Sequence, residues 1–319
     1  MPTLNIVTST LPGNCATGGY STHIAGNGTV FVVMPDNGST YYRSGDGGAT
    51  WTSYTHPLPA GQRYHNAVAW NGSYFLVVYN TRWAKSTDGI TWTNGTIAGG
   101  SSHSMLAWSG TRWVLGMTAY NTNQQLWSTD GENWNAVTVL GVNWLCTDVI
   151  WDGARFCMDV EQQFATPYDN YFMTSPDGVT WTQRGKMNVS SGDGADRMFY
   201  NGALYLVINR YPNPAFSPDG ITWSNSTTSG GVIGTCGSDF VSQDTASTFS
   251  TSTDATVFTS IPVNLGGTGA SGFFWDWKPC QYAPGKFACI GNSNKFATFE
   301  VISAIPPFWT SLTGTREAV

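Results

Sequence analysis

The sequence predicts an all-β fold, a seven-bladed β-propeller, with six blades as the fallback. Three observations support this prediction. One short motif recurs about every 40 residues, a hairpin-like motif precedes each copy, and charged residues make up only 11% of the 319 residues. A repeat of this length corresponds to one four-stranded propeller blade. We therefore expect residues 1–319 to form a single propeller domain.

The first motif contains a serine, an aspartate and a tryptophan, and reads SGDGGATW, STDGITW, STDGENW, SPDGVTW and SPDGITW. A degenerate sixth copy, STDATVF, follows. Ser and Asp side chains bind backbone N–H groups in tight turns, so a motif present in five copies is expected to be structural, since a catalytic pair is needed only once. Its expected structural residues are Ser44, Asp46, Trp51, Ser86, Asp88, Trp92, Ser128, Asp130, Trp134, Ser175, Asp177, Trp181, Ser217, Asp219 and Trp223.

The second motif places Asn-Gly, Ser-Gly or Asp-Gly between two apolar runs, as in AVAWNGSYFLVV (67–78) and DVIWDGARFCMD (148–159). This pattern predicts a β-hairpin, because both turn positions favour residues that tolerate positive φ. Each blade is expected to contain strands A to D from the centre outwards, with the hairpin between A and B and the first motif between C and D. Residues 1–12 are expected to close the ring against the last blade, and residues 313–319 to form a short tail.

The first motif resembles the Asp-box, or BNR repeat, of sialidase-like β-propellers. Residues 44–51 match the pattern SxDxGxTW in full, and the next four copies have one residue fewer. The resemblance covers residues 20–260 clearly and the remainder by periodicity. Sialidase chemistry would imply three arginines on the substrate carboxylate, a tyrosine nucleophile paired with a glutamate, and an aspartate acid/base. The N-terminal arginine motif of sialidases is absent here, and a fold does not fix a function.

Two carboxylates stand out because glutamate is scarce. Asp159 and Glu161 belong to the segment DVEQQFATPYDNY, which is expected to be a long connection between strands B and C of blade four. Glycosidases ordinarily need two positioned carboxylates, and this pair is the credible one. The alternatives are a solvated loop, a Ca²⁺ site or hydrogen bonds to sugar hydroxyls.

The arginines divide between the two faces of the predicted ring. Those expected on the side of the A/B and C/D turns are Arg43, Arg112 and Arg155. Those expected on the opposite face, where they could converge on an anion, are Arg63, Arg82 and Arg210. A set of three solvated loop arginines is equally consistent with the sequence.

The cysteines and histidines do not indicate a metal site, because no CxxC, HxH or HxxxH spacing occurs. No metal and no cofactor is predicted. Cys157 and Cys289 align with aliphatic residues of strand B, so we expect buried thiols that pack as small apolar groups. A cross-strand disulfide between Cys280 and Cys289 is the alternative.

The face formed by the B/C and D/A connections is the expected ligand face, because these connections are longer, less regular and richer in aromatic residues than the turns. Tyr, Trp and Arg are suited to sugar stacking or to a protein interface. In the alternative, several of these rings fill the spaces between blades. The candidate ligand-binding residues are Arg63, Tyr64, Tyr79, Arg82, Trp83, Tyr120, Trp144, Asp159, Glu161, Tyr168, Arg210, Tyr211, Trp275 and Trp277.

Charge and hydropathy exclude two classes of partner. The net charge is −6 and no cluster of Lys and Arg occurs, which disfavours nucleic-acid binding. No run of apolar residues is long enough to insert into a membrane as a helix. The N-terminal residues lack the basic and apolar regions of a signal peptide.

A composition rich in Gly, Ser, Thr, Asn and Trp resembles that of virion-exposed phage proteins such as tail fibres, receptor-binding tips and decoration proteins. It predicts a non-enzymatic binding module for a cell-surface saccharide or receptor, with other virion proteins as further partners. The expected location is the virion or extracellular surface, or the cytoplasm if the phage interpretation is wrong. The alternatives are a sialidase-like glycoside hydrolase and a structural or assembly propeller that binds a protein partner.

Overall fold

A computed structural model describes residues 3–12, 22–35, 39–58, 67–98, 103–117, 124–139, 144–162, 169–187, 195–209, 214–226, 231–244, 248–261, 263–266, 279–291 and 294–302. These residues form 29 β-strands in seven sheets and contain no α-helix. The part of the chain described therefore has no helix that could span a membrane. Six sheets have four antiparallel strands in chain order, which confirms the all-β, seven-bladed propeller.

The blades follow one another along the chain, with strand A innermost. The first strand is β1 (Thr3–Thr10). Blade one contains β2 (His23–Gly26), β3 (Phe31–Met34), β4 (Thr40–Ser44) and β5 (Thr52–Thr55). Blade two contains β6 (Ala67–Trp70), β7 (Phe75–Tyr79), β8 (Arg82–Ser86) and β9 (Thr93–Thr96). Blade three contains β10 (His103–Trp108), β11 (Trp113–Met117), β12 (Gln124–Ser128) and β13 (Asn135–Thr138).

The remaining blades keep the same strand order. Blade four contains β14 (Trp144–Trp151), β15 (Phe156–Gln162), β16 (Asp169–Ser175) and β17 (Thr182–Met187). Blade five contains β18 (Ala195–Tyr200), β19 (Tyr205–Asn209), β20 (Ala215–Ser217) and β21 (Ser224–Asn225). Blade six contains β22 (Gly231–Cys236), β23 (Asp239–Gln243), β24 (Phe249–Ser252) and β25 (Thr259–Ser260). Blade seven contains β26 (Val263–Gly266), β27 (Cys280–Ala283), β28 (Lys286–Gly291) and β29 (Lys295–Ile302), together with β1.

Blade seven joins the two ends of the described chain. Strand β1 lies between β29, with which it pairs antiparallel, and β26, with which it pairs parallel. Its side chains Leu4 and Ile6 are fully buried and pack with Phe299 in the core between blades six and seven. The N-terminal strand therefore takes the strand D position of the last blade. The expected tail, 313–319, lies outside the described residues.

The core lies between neighbouring blades, because alternate side chains of a strand point to opposite faces of its sheet. In strand B of blade four, Phe156 and Met158 pack towards blade three, whereas Cys157 packs with Met198 and Tyr205 of blade five. The thiols of Cys157 and Cys289 are buried, which confirms that prediction. All five cysteines in the described residues are free, so Cys280 and Cys289 are not bridged.

Candidate ligand-binding face

The repeated motif forms a turn between strands C and D, named here the Ser-Asp turn, and its polar groups are used within the turn. In blade two, Ser86 Oγ donates to Asp88 Oδ1 (2.9 Å) and accepts the Gly89 N–H (2.8 Å). Asp88 Oδ1 also accepts the N–H groups of Ile90 and Thr91, both at 2.8 Å. Each carboxylate thus replaces the backbone partners that a tight turn lacks.

The degenerate copy in blade six forms the same turn. Ser252 Oγ donates to Asp254 Oδ1 (2.9 Å), and Asp254 Oδ1 accepts the Thr256 and Val257 N–H groups (2.9 and 3.1 Å). Ala255 occupies the position of the motif glycine with a φ of 59°. The serine and aspartate are therefore sufficient to build the turn without glycine.

These turns also connect the first four blades to one another. Arg43 Nε donates to the Asp88 carbonyl (2.7 Å), Lys85 Nζ donates to the Asp130 carbonyl (2.9 Å), and Arg112 donates to the carbonyl of Asp177. Arg43, Lys85 and Arg112 thus hold neighbouring blades together.

Blade four is connected to blade five by a different network. Arg155 Nε donates to Asp152 Oδ2 (3.1 Å), and its Nη2 donates to the Tyr205 hydroxyl (3.0 Å), which in turn donates to Asp152 Oδ2 (2.5 Å). Burial and the hydrogen bond to Asp152 raise the pKa of Tyr205 above its usual range. Burial and the charge of Asp152 likewise raise the pKa of Cys157. Neither group is therefore an activated nucleophile.

The Ser-Asp turns predict acid sensitivity. Hydrogen bonds from the side chain and backbone of Thr50 lower the pKa of Asp46 to about 2. A lowered folded-state pKa contributes stability above the unfolded-state value, near 4, and this contribution is lost as the pH falls through the folded-state pKa. We expect the urea midpoint of unfolding to fall between pH 4 and pH 2, and to fall less in Asp46→Asn, whose amide oxygen still accepts the Thr50 N–H. The same fall in both proteins would contradict this role of Asp46.

Eight of the candidate ligand-binding residues lie outside the described residues. They are Arg63, Tyr64, Tyr120, Tyr168, Arg210, Tyr211, Trp275 and Trp277. Every A/B and C/D turn of blades one to six is described, whereas most B/C and D/A connections are described only in part. For these eight residues the assignment to the ligand face stays a prediction.

The assignment of Tyr79, Arg82 and Trp83 to a long B/C connection is wrong. Tyr79 ends β7 and pairs with Arg82 at the start of β8, so only Asn80 and Thr81 lie between the strands. The rings of Tyr79 and Trp83 are buried, 6% and 9% exposed, in the cores on either side of blade two. Arg82 alone of the three is exposed.

The expected loop position of Asp159 and Glu161 is also wrong, because both lie in β15. Trp144, in the facing strand β14, is half-buried, and its ring packs edge-on against Tyr171 with centroids 5.3 Å apart. Asp159 is fully buried and Glu161 is 6% exposed. The carboxylates therefore lie between blades four and five and are not offered to solvent.

Two charged residues that sequence reasoning missed accompany this pair. Asp148 lies directly opposite Asp159 in the sheet, and Arg197 lies at the start of blade five; they are 9% and 6% exposed. Asp148 accepts the backbone N–H of Met198 in blade five (2.8 Å). The alignment of the repeats could have identified Asp148, because blades two and three have the uncharged residues Ala67 and Met105 at its position in strand A.

The inner strands of all seven blades line a central channel with a cavity of ≈ 310 Å³. The ionisable groups on its wall include His23, Asp148, Arg197 and Cys280. A cavity of this volume is at the lower end of the range for small-ligand pockets. Within the described residues, no group of three or more His, Cys, Asp or Glu side chains is arranged to hold a metal ion.

Comparisons with known proteins support the fold. Residues 10–143 match a family model described as the DUF6242 beta propeller domain. None of the curated proteins matches the chain. A structure of YCF48 bound to a D1 peptide is similar, with a TM-score of 0.65 and 15% identity over 92% of this chain and 96% of that one.

Two further structures have the same fold without close sequence relationship. Virginiamycin B lyase from Staphylococcus aureus has a TM-score of 0.66 and 11% identity, covering 94% of this chain and 100% of that one. The Pan2 WD40 domain of Neurospora crassa has a TM-score of 0.66 and 7% identity, covering 94% and 95%. At these identities the similarity establishes the propeller fold alone.

Proposed function

We propose that the chain is a non-enzymatic binding module, exposed on a virion or another extracellular surface, that recognises a cell-surface saccharide or receptor. The ligand binds at the face formed by the B/C and D/A connections. We further propose that the Ser-Asp turns are Asp-boxes, which makes the chain a distant relative of the sialidase-like propellers that has kept their scaffold without their chemistry.

The observation that carries this proposal is the use of polar groups on the turn face. On the turn face, the aspartates of the Ser-Asp turns bind their own turns, and Arg43, Lys85 and Arg112 bind carbonyl groups of the next blade. These turns use none of the rings and arginines that the sequence predicts for the opposite face, which are therefore candidates for binding a ligand. Aromatic rings beside arginine are suited to ligand recognition.

The burial of the acidic pair weighs against a glycoside hydrolase. A glycosidase needs two carboxyl groups on either side of a scissile bond that reaches them. Asp159 has no exposed surface, and Glu161 is nearly as buried. The tyrosine hydroxyl hydrogen-bonded to a carboxylate, Tyr205, has a pKa raised by burial and is held by Arg155 on the turn face.

The second candidate is a structural propeller with a protein partner. Strands β14, β15 and β16 of blade four are longer than their counterparts in blade two. Their added length carries Trp144, whose half-buried ring packs against that of Tyr171, a combination that suits a protein interface. YCF48, which has the same fold, is bound to a D1 peptide in its structure.

A glycan-array screen with a parallel assay for sugar release separates these functions. For a glycan that binds, we expect Tyr168→Ala and Tyr211→Ala each to raise the Kd about fivefold, because one stacked ring contributes roughly 1 kcal/mol. The control is Val257→Ala, which shortens an exposed apolar side chain on the turn face. Trp83 is unsuitable because its ring is in the core.

Three results would count against the binding module. Sugar release by the wild-type protein would establish a hydrolase. Binding that survives in both tyrosine variants and in Tyr120→Ala but is lost in Val257→Ala would place the ligand on the turn face. Absence of glycan binding together with capture of a peptide ligand would favour the assembly propeller.

A further inference from the structure

The A/B pairing of blade four extends further towards the proposed ligand face than that of blade two. In blade two the A/B pairing ends at Ala67 opposite Val78, which corresponds to Asp148 opposite Asp159 in blade four. Blade four adds three further pairs, beginning at Trp144 opposite Gln162. At about 3.3 Å per residue, the projection is roughly 10 Å long.

A cluster of buried carboxylates lies where this projection begins. Asp148 and Asp159 are directly opposite one another on β14 and β15, and Glu161 lies on the same face of β15 two residues further. All three face blade five. From that blade, β18 supplies Arg197, which is 6% exposed, and the Met198 N–H that binds Asp148.

The carboxyl groups of Asp148 and Asp159 differ in the hydrogen bonds that they accept. Asp148 accepts two backbone N–H groups, from Val149 at Oδ1 (2.9 Å) and from Met198 at Oδ2 (2.8 Å). Asp159 accepts the Thr147 hydroxyl at Oδ2, whereas its Oδ1 and the buried Nδ2 of Asn170 form no hydrogen bond of good geometry. The carboxyl group of Asp159 therefore accepts fewer hydrogen bonds than that of Asp148.

We propose that the seam between blades four and five is a proton-operated latch, closed when Asp159 is protonated and opened when Asp159 ionises. Ionisation places a second negative charge opposite Asp148 and beside Glu161, on a carboxyl group that has no exposed surface. Such a charge is costly to bury. Separation of the projecting end of blade four from blade five brings water to the carboxylates and relieves this cost.

The surroundings of Asp159 determine the direction of the pH dependence of the latch. Burial first, and then the charges of Glu161 and Asp148, raise the pKa of Asp159 well above its usual range, although the Thr147 and Asn170 side chains act in the opposite direction. Arg197 of β18 is a buried cation at the seam. Besides Glu161, the titratable group on the same face of β15 is the Cys157 thiol, whose raised pKa keeps it neutral.

The sign of the pH dependence follows from this raised pKa. A folded-state pKa above the unfolded-state value contributes stability that is fully present below the unfolded-state pKa, near 4, and is lost as the pH rises through the folded-state pKa. The latch therefore closes in acid and opens towards alkaline pH, opposite to the dependence expected of the Ser-Asp turns. It needs no ligand, so it can be tested whatever the ligand face binds.

Hydrogen exchange of the full chain between pH 5 and pH 9, corrected for the intrinsic chemical rate, tests the latch. Peptides within 144–162 and 195–209 report the seam, and peptides within 67–86, which contain no Asp or Glu, report blade two. In the wild-type protein we expect the exchange of the seam relative to blade two to rise with pH, by up to about tenfold per pH unit until the folded-state pKa is reached. In Asp159→Asn we expect no rise.

Two further variants keep the proposal falsifiable if Asp159→Asn does not fold. Glu161→Gln removes one of the charges that raise the pKa of Asp159, so the rise should end at a lower pH. Asp239→Asn removes a half-buried carboxylate in blade six and should leave the seam unchanged. A wild-type seam whose relative exchange is independent of pH, or the same rise in Asp159→Asn, would overturn the latch.

Discussion

Gly220→Ala is expected to destabilise the protein by about 2 to 5 kcal/mol. This is the sum of the cost of a left-handed backbone at alanine and the cost of overpacking the core. Gly220 lies in the Ser-Asp turn of blade five with a φ of +74°, and a Cβ there would be 2.3 Å from Phe172 Cε1. Phe172 is fully buried and packs against Tyr205 and Trp223, with ring centroids 4.8 and 5.4 Å apart. The ring therefore has little room to move away from the added methyl group.

Gly202→Ala is the matched control for the steric part of this effect. Gly202 lies in the A/B turn of the same blade with a φ of +96°, and no atom lies within 4 Å of the position of its Cβ. The backbone cost alone, about 1 to 2 kcal/mol, is expected. Urea unfolding of both variants gives the comparison, and equal losses of unfolding free energy would contradict the role of Phe172.

Blade six supports the distinction between the cost of a left-handed backbone and the cost of a steric clash with a facing side chain. Ala255 occupies the position of Gly220 with a φ of 59° and is fully buried, yet the Ser252 and Asp254 hydrogen bonds are retained. Three residues before the serine of the turn, blade five has Pro214 where blade four has Phe172. The left-handed conformation is thus tolerated with alanine, and the bulk of the facing side chain decides which residue fits.

The blades could be predicted from the sequence because each one is built from local signals. The Asn-Gly and Ser-Asp turns are closed by side chains two to four residues away, as when Asn71 Oδ1 accepts the Ser73 and Tyr74 N–H groups. Such signals survive imperfect repetition, since even the copy ending at Phe258 forms its turn. The number of blades and the order of the strands followed from their spacing.

The candidate site was harder to predict because its side chains pack against another blade. Asp159 and Glu161 alternate with Met158 and Val160, which is the two-residue period of a strand. Polar residues on one face of a strand ordinarily indicate solvent, and here that face is covered by blade five. For Trp83, the preceding Asn80, with a φ of 46°, marks a tight turn that the search for long connections overlooked.

Trp113→Ala is expected to cost about 3 to 5 kcal/mol, the usual range for truncation of a fully buried large aromatic side chain. Trp113 begins strand B of blade three and has no exposed surface. Its Nε1 donates to the Tyr74 hydroxyl of blade two (3.0 Å), which donates to the Asp130 carbonyl (2.9 Å), and its ring packs 4.8 Å from that of Trp108. The substitution removes core volume and one of the links between two blades.

The comparison with Trp181→Ala tests whether burial or the repeated motif determines this cost. Trp181, the tryptophan of the Ser-Asp turn in blade four, is half-buried and donates to the Gly178 carbonyl of its own turn (3.2 Å). Because less of its surface leaves water on folding, we expect a smaller loss than for Trp113, although Trp181 belongs to the motif and Trp113 does not. Urea unfolding measures both. A loss for Trp181→Ala as large as that for Trp113→Ala would show that closure of the turn, and not burial between blades, dominates the stability of the ring.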